Sequence, residues 1–258
     1  MPITTVLFDL DGTLLPMDQN VFVKGYLKML ADKMAPHGYE PRAVIDAVWA
    51  GVGAMVRNDG SASNEEVFWA AAVGLLGEGA IADRPIFDEF YAVDFQGARE
   101  LCGYSSQAVE AVRSAKGRGL RVGCATNPLF PKTATYARIG WAGLSPEDFE
   151  LVTTYENSGF CKPNPAYYAD IAARLGVAPQ ECLMVGNDVA EDVVASTEAG
   201  MEAFLLTDCL INAHGAEIGS LPHGGFEELG AYLDELGGRP WGVLDINPAP
   251  RCGGAYVP

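Results

Sequence analysis

Ile3-Thr4-Thr5-Val6-Leu7-Phe8-Asp9-Leu10-Asp11-Gly12-Thr13 is the stretch on which the reading of this chain turns. Its first six residues are β-branched, aliphatic or aromatic and read as a buried strand. The strand then delivers two carboxylates, Asp9 and Asp11, to its end. A carboxylate is costly to bury without a cation or a dense set of hydrogen bonds, and two of them spaced i and i+2 repel each other. That arrangement suits a nucleophile and a proton donor flanking a metal-bound electrophile.

Working outward, the rest of the chain alternates short apolar runs with helical patterns. Further strands are predicted at 120–125, 150–154, 182–185 and 202–206. Helices are predicted at 105–117, 131–139, 165–175, 190–199 and 226–236. Repeated strand–helix units imply an α/β fold, with a parallel sheet covered on both faces. Gly140, Gly176 and Gly200 each stand where a helix needs a left-handed closing residue. Between Met17 and Gly97 the rhythm changes, with four apolar-periodic stretches and no core strand. They begin at Phe22, Val44, Val67 and Ile86, and their i, i+3, i+4 spacing predicts a helical bundle. An insertion after the first strand emerges at the carboxyl edge of the sheet, where open α/β folds bind ligands, so it reads as a lid. The expected division is a core domain of residues 1–16 and 98–238, a helical cap domain of 17–97 and a C-terminal extension of 239–258. The extension, rich in Gly and Pro and carrying Trp241 and Tyr256, is expected to pack on the core or a neighbouring subunit.

Composition limits the function classes. The 258 residues include 34 Asp and Glu against 17 Lys and Arg, a formal charge of −17. Such a surface repels nucleic acid and anionic membrane, yet a local divalent cation can still draw in a small anionic substrate. The six cysteines form no C-x-x-C pair and read as reduced thiols. No basic leader and no apolar run of ~18 residues is visible, so a cytoplasmic protein is expected. Oligomeric state is not legible.

Four motifs carry chemistry, each at a predicted strand end or ahead of a helix. They are Asp9-Leu10-Asp11-Gly12-Thr13; Thr126-Asn127; Lys162 within Gly159-Phe160-Cys161-Lys162-Pro163-Asn164-Pro165; and Gly186-Asn187-Asp188 with Asp192 four residues on. Together they supply the parts for phosphoryl transfer. Asp9 can attack phosphorus. Mg²⁺ held by Asp9, a main-chain carbonyl near Asp11 and Asp188 would screen the repulsion between carboxylate and phosphate. Lys162, the Thr126 hydroxyl and N–H groups around Leu10–Gly12 can meet the phosphoryl oxygens, with Gly12 letting the main chain approach closely. Asp11 can protonate the leaving alkoxide and then activate water. Each motif alone has a plainer reading: a turn, a solvated lysine, or acids at a helix N-terminus.

At these residues the chain resembles the haloacid dehalogenase superfamily, and specifically its phosphatase branch. The likeness covers the order and spacing of the four motifs and the position of the insertion, nearly the whole chain to about Leu206. It implies a Rossmann-like parallel sheet, an inserted helical cap and an obligatory Mg²⁺. It also implies Asp9 as nucleophile, Asp11 as acid/base, Thr126 and Lys162 on phosphate, and Asp188 on the metal. Asp192 fits the family's second acidic position, which ligates or braces the cation, and Asn127 stands next to phosphate or substrate. Dehalogenases and phosphonate-cleaving relatives lack the second Asp, so Asp11 argues for an oxygen leaving group. Sugar phosphomutases keep both carboxylates and stand as the alternative, followed by a catalytically retired binding scaffold. The expected activity is hydrolysis of a small-metabolite phosphomonoester. His37, His214 and His223 read as surface residues, the aromatic residues of the insertion as core, and its basic residues, Arg84 among them, mostly as solvated charges.

Overall fold

The computed structural model describes residues 1–237. The C-terminal extension, with Trp241, Cys252 and Tyr256, lies outside the described residues. Strand β1 is Thr5–Phe8, and all four of its residues are buried. It pairs in parallel with β2 (Arg121–Cys124) on one side and β4 (Cys182–Gly186) on the other. β3 (Leu151–Val152), β5 (Glu202–Leu206) and β6 (His223–Gly224) complete a parallel sheet of order β3-β2-β1-β4-β5-β6. The α/β expectation holds. β6 was not anticipated, because two residues without an apolar pair carry no strand signal.

Strand alternation fills both faces. Val6 and Phe8 of β1 join a core with α6 (Ser106–Gly117), α7 (Lys132–Trp141) and α10 (Phe226–Gly237). Leu7 faces the other way, toward α8 (Pro165–Leu175) and α9 (Ala195–Glu198). A strand buried on both sides has no solvent face, which is why β1 and β4 show no polar alternation, with Thr5 the one polar side chain and itself buried. Register then places the chemistry: Phe8 is level with Cys124 and with Val185. Asp9, Thr126 and Asn187 therefore leave the sheet at one edge.

The region between β1 and β2 is helical. It contains α1 (Gln19–Met34), α2 (Pro41–Val56), α3 (Asn64–Leu76), the single turn α4 (Gly79–Ala82), α5 (Arg84–Ala92) and a 3₁₀ segment at Asp94–Leu101. Starts are written locally. Asp18 caps α1 by accepting the N–H groups of Asn20 and Val21, and Ser63 with Glu66 forms a capping box on α3. The spacing from Val67 predicts a buried face of Val67, Phe68, Ala71, Ala72 and Leu75 on α3, and the observed face differs. Trp69 is buried while Leu75 is exposed, because the helix turns its indole toward Phe87. The two crossings between helical region and sheet are adjacent: Met17 bridges Cys102, and Gly103 N–H donates to the Pro16 carbonyl at 2.7 Å.

Helix ends give two corrections. Gly176 and Gly200 adopt the expected positive φ, but Gly140 lies inside α7, and the turn is closed by Gly143 at φ 79°. Trp141 and Ala142 are buried and carry the apolar face past Gly140. The predicted helix 190–199 begins instead as a π-turn at Val189–Val194 and becomes α only at Ala195. The Tyr168 hydroxyl donates to the Glu191 carbonyl at 2.6 Å and the Ser196 hydroxyl to the Asp192 carbonyl at 2.5 Å, loosening the α ladder there. The five described cysteines are free thiols, and no described helix is long and apolar enough to cross a membrane.

Candidate active site

The carboxyl edge of the sheet holds a pocket of about 140 Å³ whose walls include Asp9, Asp11, Thr126, Asn127, Asp188 and Asp192. Lys162 is the charge centre behind it. Its side chain is 1% exposed, and Nζ lies 2.8 Å from Asp9 Oδ1 and 2.6 Å from Asp192 Oδ1. Burial works against its charge, but Asp192 and Asp9 outweigh burial and hold the ammonium well above its ordinary range. Asp9 is 6% exposed, with its N–H on the Val185 carbonyl. Burial pushes its carboxyl up to about 7; Lys162 opposes that, while Asp192 and Asp11 add to it.

The fourth motif is built around one close approach. Asp192 receives Lys162 on Oδ1 and the Asp188 N–H on Oδ2 at 2.9 Å, so both its oxygens are taken. A Cβ on Gly186 would lie 2.2 Å from Asp192 Cγ, which is why glycine stands there. Asp188 caps the π-turn through Oδ1, accepting from Ala190 and Glu191 N–H, and Oδ2 has no described protein donor.

Gly12 makes a close main-chain approach, but its N–H is engaged within the loop. At φ 87° it packs against Asn187, with room for no Cβ, and its N–H already donates to the Leu15 carbonyl at 2.8 Å. The N–H groups without described acceptors are those of Leu10 and Asp11. Thr126 presents a hydroxyl without a described partner, while its carbonyl receives Thr153 Oγ1 at 2.7 Å and Tyr167 OH at 2.8 Å. Asn127 donates to Glu191 Oε2 at 3.0 Å, leaving Oδ1 buried without a partner.

Three contributors escape the motif reading. Arg138 on α7 is fully buried and ion-paired with Asp11 Oδ2, and its guanidinium stacks 4.1 Å over the Phe130 ring. Asp11 Oδ1 is left buried and unpartnered. Glu191 adds a carboxyl to the pocket wall, and burial raises its pKa. Gln19 places Nε2 3.3 Å from the Asp11 carbonyl. No local sequence signal marks Arg138: it shares a helical face with Ala134, Thr135 and Ala142, and only the fold shows that this face is buried with no solvent to receive a charge.

The pocket collects five carboxylates, on Asp9, Asp11, Asp188, Glu191 and Asp192. Against them stand Lys162 and Arg138. A dianion entering it therefore needs added positive charge. Among the described residues no three acidic, histidine or cysteine side chains are grouped to cage an ion unaided. Asp9 and Asp188 each retain one oxygen without a described donor, and the Asp11 carbonyl meets only Gln19. Two carboxylates and a carbonyl are hard oxygen donors that fit Mg²⁺, which keeps several of its waters.

A family model described as haloacid dehalogenase-like hydrolase matches residues 3–200. Glyceraldehyde 3-phosphate phosphatase of Methanothermobacter thermautotrophicus is 33% identical over 98 residues, 38% of this chain and 42% of that protein. Phosphoglycolate phosphatase of Nitrosococcus oceani is 34% identical over 94 residues, 36% and 39% of the two chains. The chain thus matches about two fifths of the length of these curated relatives. A 2-haloacid dehalogenase from Pseudomonas syringae pv. Tomato shares the fold at a TM-score of 0.59, with 20% identity over 90% of this chain and 99% of that one.

Proposed function

The chain belongs to the haloacid dehalogenase-like hydrolase family, and from that premise we propose that it is a Mg²⁺-dependent phosphatase of small phosphomonoesters, working through an aspartyl-phosphate. The observation that supports this most is the convergence of Asp9, Asp11, Thr126 and Asp188 on one pocket with Lys162 behind Asp9. The named phosphatases among its relatives point the same way.

In this reading Asp9 attacks phosphorus with Oδ1, whose charge Lys162 steadies at 2.8 Å, and its other oxygen stays open to the cation. A carboxylate held by one short charged hydrogen bond loses little freedom on attack. Thr126 Oγ1 and the N–H groups of Leu10 and Asp11 donate to the phosphoryl oxygens. Asp9, Asp188 and the Asp11 carbonyl would hold Mg²⁺, which supplies charge neutralisation and alignment of the phosphate. Asp192, with both oxygens occupied, braces Lys162 and the Asp188 backbone. Asp11 gives its proton to the departing alkoxide as the ester bond breaks. It then takes a proton from the water that opens the acyl phosphate, which frees Asp9 and releases phosphate. Oδ1 is the oxygen placed to carry that proton, since Oδ2 belongs to Arg138. The helices between β1 and β2 act as the cap. Asp11 is what separates this reading from dehalogenation, whose halide leaves without a proton.

The test is phosphate release from p-nitrophenyl phosphate and from an alkyl phosphate with Mg²⁺ present. Asp9→Asn should abolish both while the circular dichroism spectrum stays that of wild type. Asp11→Asn should slow the alkyl ester far more than the aryl ester, whose leaving group needs no proton. Wild-type rates for Asp9→Asn, or equal slowing of both esters by Asp11→Asn, would overturn the assignment.

A further inference from the structure

A second cavity, of about 210 Å³, adjoins the acidic pocket, and the two share Gln19, Val23, Leu129 and Phe130 as common wall. It lies among the inserted helices and the 129–131 and 155 loops. Its character is opposite to that of its neighbour. Aromatic rings of Tyr26, Trp69, Phe87, Tyr91, Phe130 and Tyr155 line it, and aliphatic side chains fill the gaps between them. The phenols stay neutral, since burial pushes Tyr26, Tyr91 and Tyr155 far above their ordinary range. Among the described residues no lysine, arginine or histidine is part of the wall, and the one charged side chain there is that of Asp88, an exposed residue. The nearby guanidiniums are committed elsewhere. Arg84 pairs with Glu65 while lying 4.7 Å over the Trp69 ring, and Arg138 is sealed against Asp11.

We propose that this cavity takes the organic half of the phosphoester, and that the preferred substrate carries a neutral aromatic or branched apolar group, not a carboxylate or a polyhydroxylated chain. The proposal rests on the phosphatase reading above, because the shared wall is what joins the ester's two halves. Size agrees: an apolar cavity of about 150 Å³ holds a benzene ring, so the one here accommodates a ring and a short linker. A carboxylate placed among these rings would be stripped of water with no cation to meet it and with Asp88 nearby. Sugar hydroxyls would meet only scattered partners, the phenols, Gln19 and the unpartnered Trp69 N–H, set among rings that leave most of a polyol's hydrogen bonds unmade.

The experiment compares 2-phenylethyl phosphate, methyl phosphate and 3-phosphoglycerate as substrates of the full chain with Mg²⁺. Alongside, calorimetry measures binding of the non-hydrolysable 2-phenylethylphosphonate and 3-phosphonopropionate. kcat/KM for the phenylethyl ester should exceed that for 3-phosphoglycerate by at least about a hundredfold, and the phenyl phosphonate should bind correspondingly tighter. Val52→Trp, at a half-buried wall position outside the acidic pocket, should fill the cavity and reduce that preference at least tenfold while sparing methyl phosphate. Equal or reversed preference in both measurements, or a preference that Val52→Trp leaves intact, overturns the inference and leaves the phosphatase reading standing. Tight binding of the phenyl phosphonate without hydrolysis of any ester keeps the cavity's role and removes the phosphatase.

Discussion

Replacing Arg138 with methionine tests the least anticipated element of the site. Arg138 is fully buried, pairs with Asp11 Oδ2, reaches Thr135 Oγ1 at 3.3 Å and covers the Phe130 ring at 4.1 Å. Methionine fills most of the stem's volume, so packing loss is small and the charge dominates. Removing one partner of a buried ion pair costs about 3–5 kcal/mol. The Asp11 side chain is 18% exposed and lines the pocket, so it can partly rehydrate, which places the loss at the lower end. Loss of the guanidinium–ring contact adds ~1 kcal/mol. A net destabilisation of about 4 kcal/mol follows, or roughly 8–16 °C in Tm for a chain of this size. Urea titration followed by circular dichroism measures it. The second arm is decisive: if the cost comes from an orphaned carboxylate, Asp11→Asn in the Arg138→Met background should recover at least ~1 kcal/mol. Additivity of the two substitutions within about 0.5 kcal/mol, or a single-variant loss below ~1 kcal/mol, would refute the account.

Three further outcomes are expected. Gly186→Ala should cost about 1–3 kcal/mol and reduce turnover more than tenfold by displacing Asp192 from Lys162; melting and phosphate-release assays that both match wild type would refute this. Chelation by EDTA should stop phosphate release and added Mg²⁺ restore it, whereas activity that survives exhaustive chelation would remove the cation from the scheme. The Ser145 N–H, against a smaller effect of burial and with help from Lys116, holds the Asp148 carboxyl below its ordinary 3.8. Its folded value is the lower one, so its stabilisation is present above 3.8 and lost as pH falls through the lowered value. Asp148→Asn should therefore be less stable than wild type at neutral pH and equal to it in strong acid, which urea midpoints at the two pH values would check.

Much of this was legible because the signals were local. β1 and β4 lack polar alternation since both faces are covered, and the Asn164-Pro165 start and Gly176 stop of α8 are written in three residues. The motif order was legible too, because parallel register returns successive strand ends to one edge. What escaped depends on tertiary partners. The π-turn after Asp188 exists because a tyrosine from α8 reaches the Glu191 carbonyl, a contact no window of sequence contains. Gly12 was expected to lend an N–H, but the Leu15 carbonyl, three residues on, claims it. Arg138 was passed over because a lone arginine in a helix is ordinarily solvated, and only the opposed Asp11 makes its burial tolerable.

The aromatic seam between the inserted helices and the sheet has a mechanical consequence. Phe22 and Tyr26 of α1 lie 6.3 and 5.1 Å from Phe130, and Phe95 stacks 5.3 Å from Trp141 of α7, within a single continuous core. Two bodies welded in this way melt as one, so calorimetry should record a single endotherm. Wide swinging of the upper layer would tear that weld, whereas Trp49, which lines the apolar chamber yet is 52% exposed, already brings that chamber to the solvent.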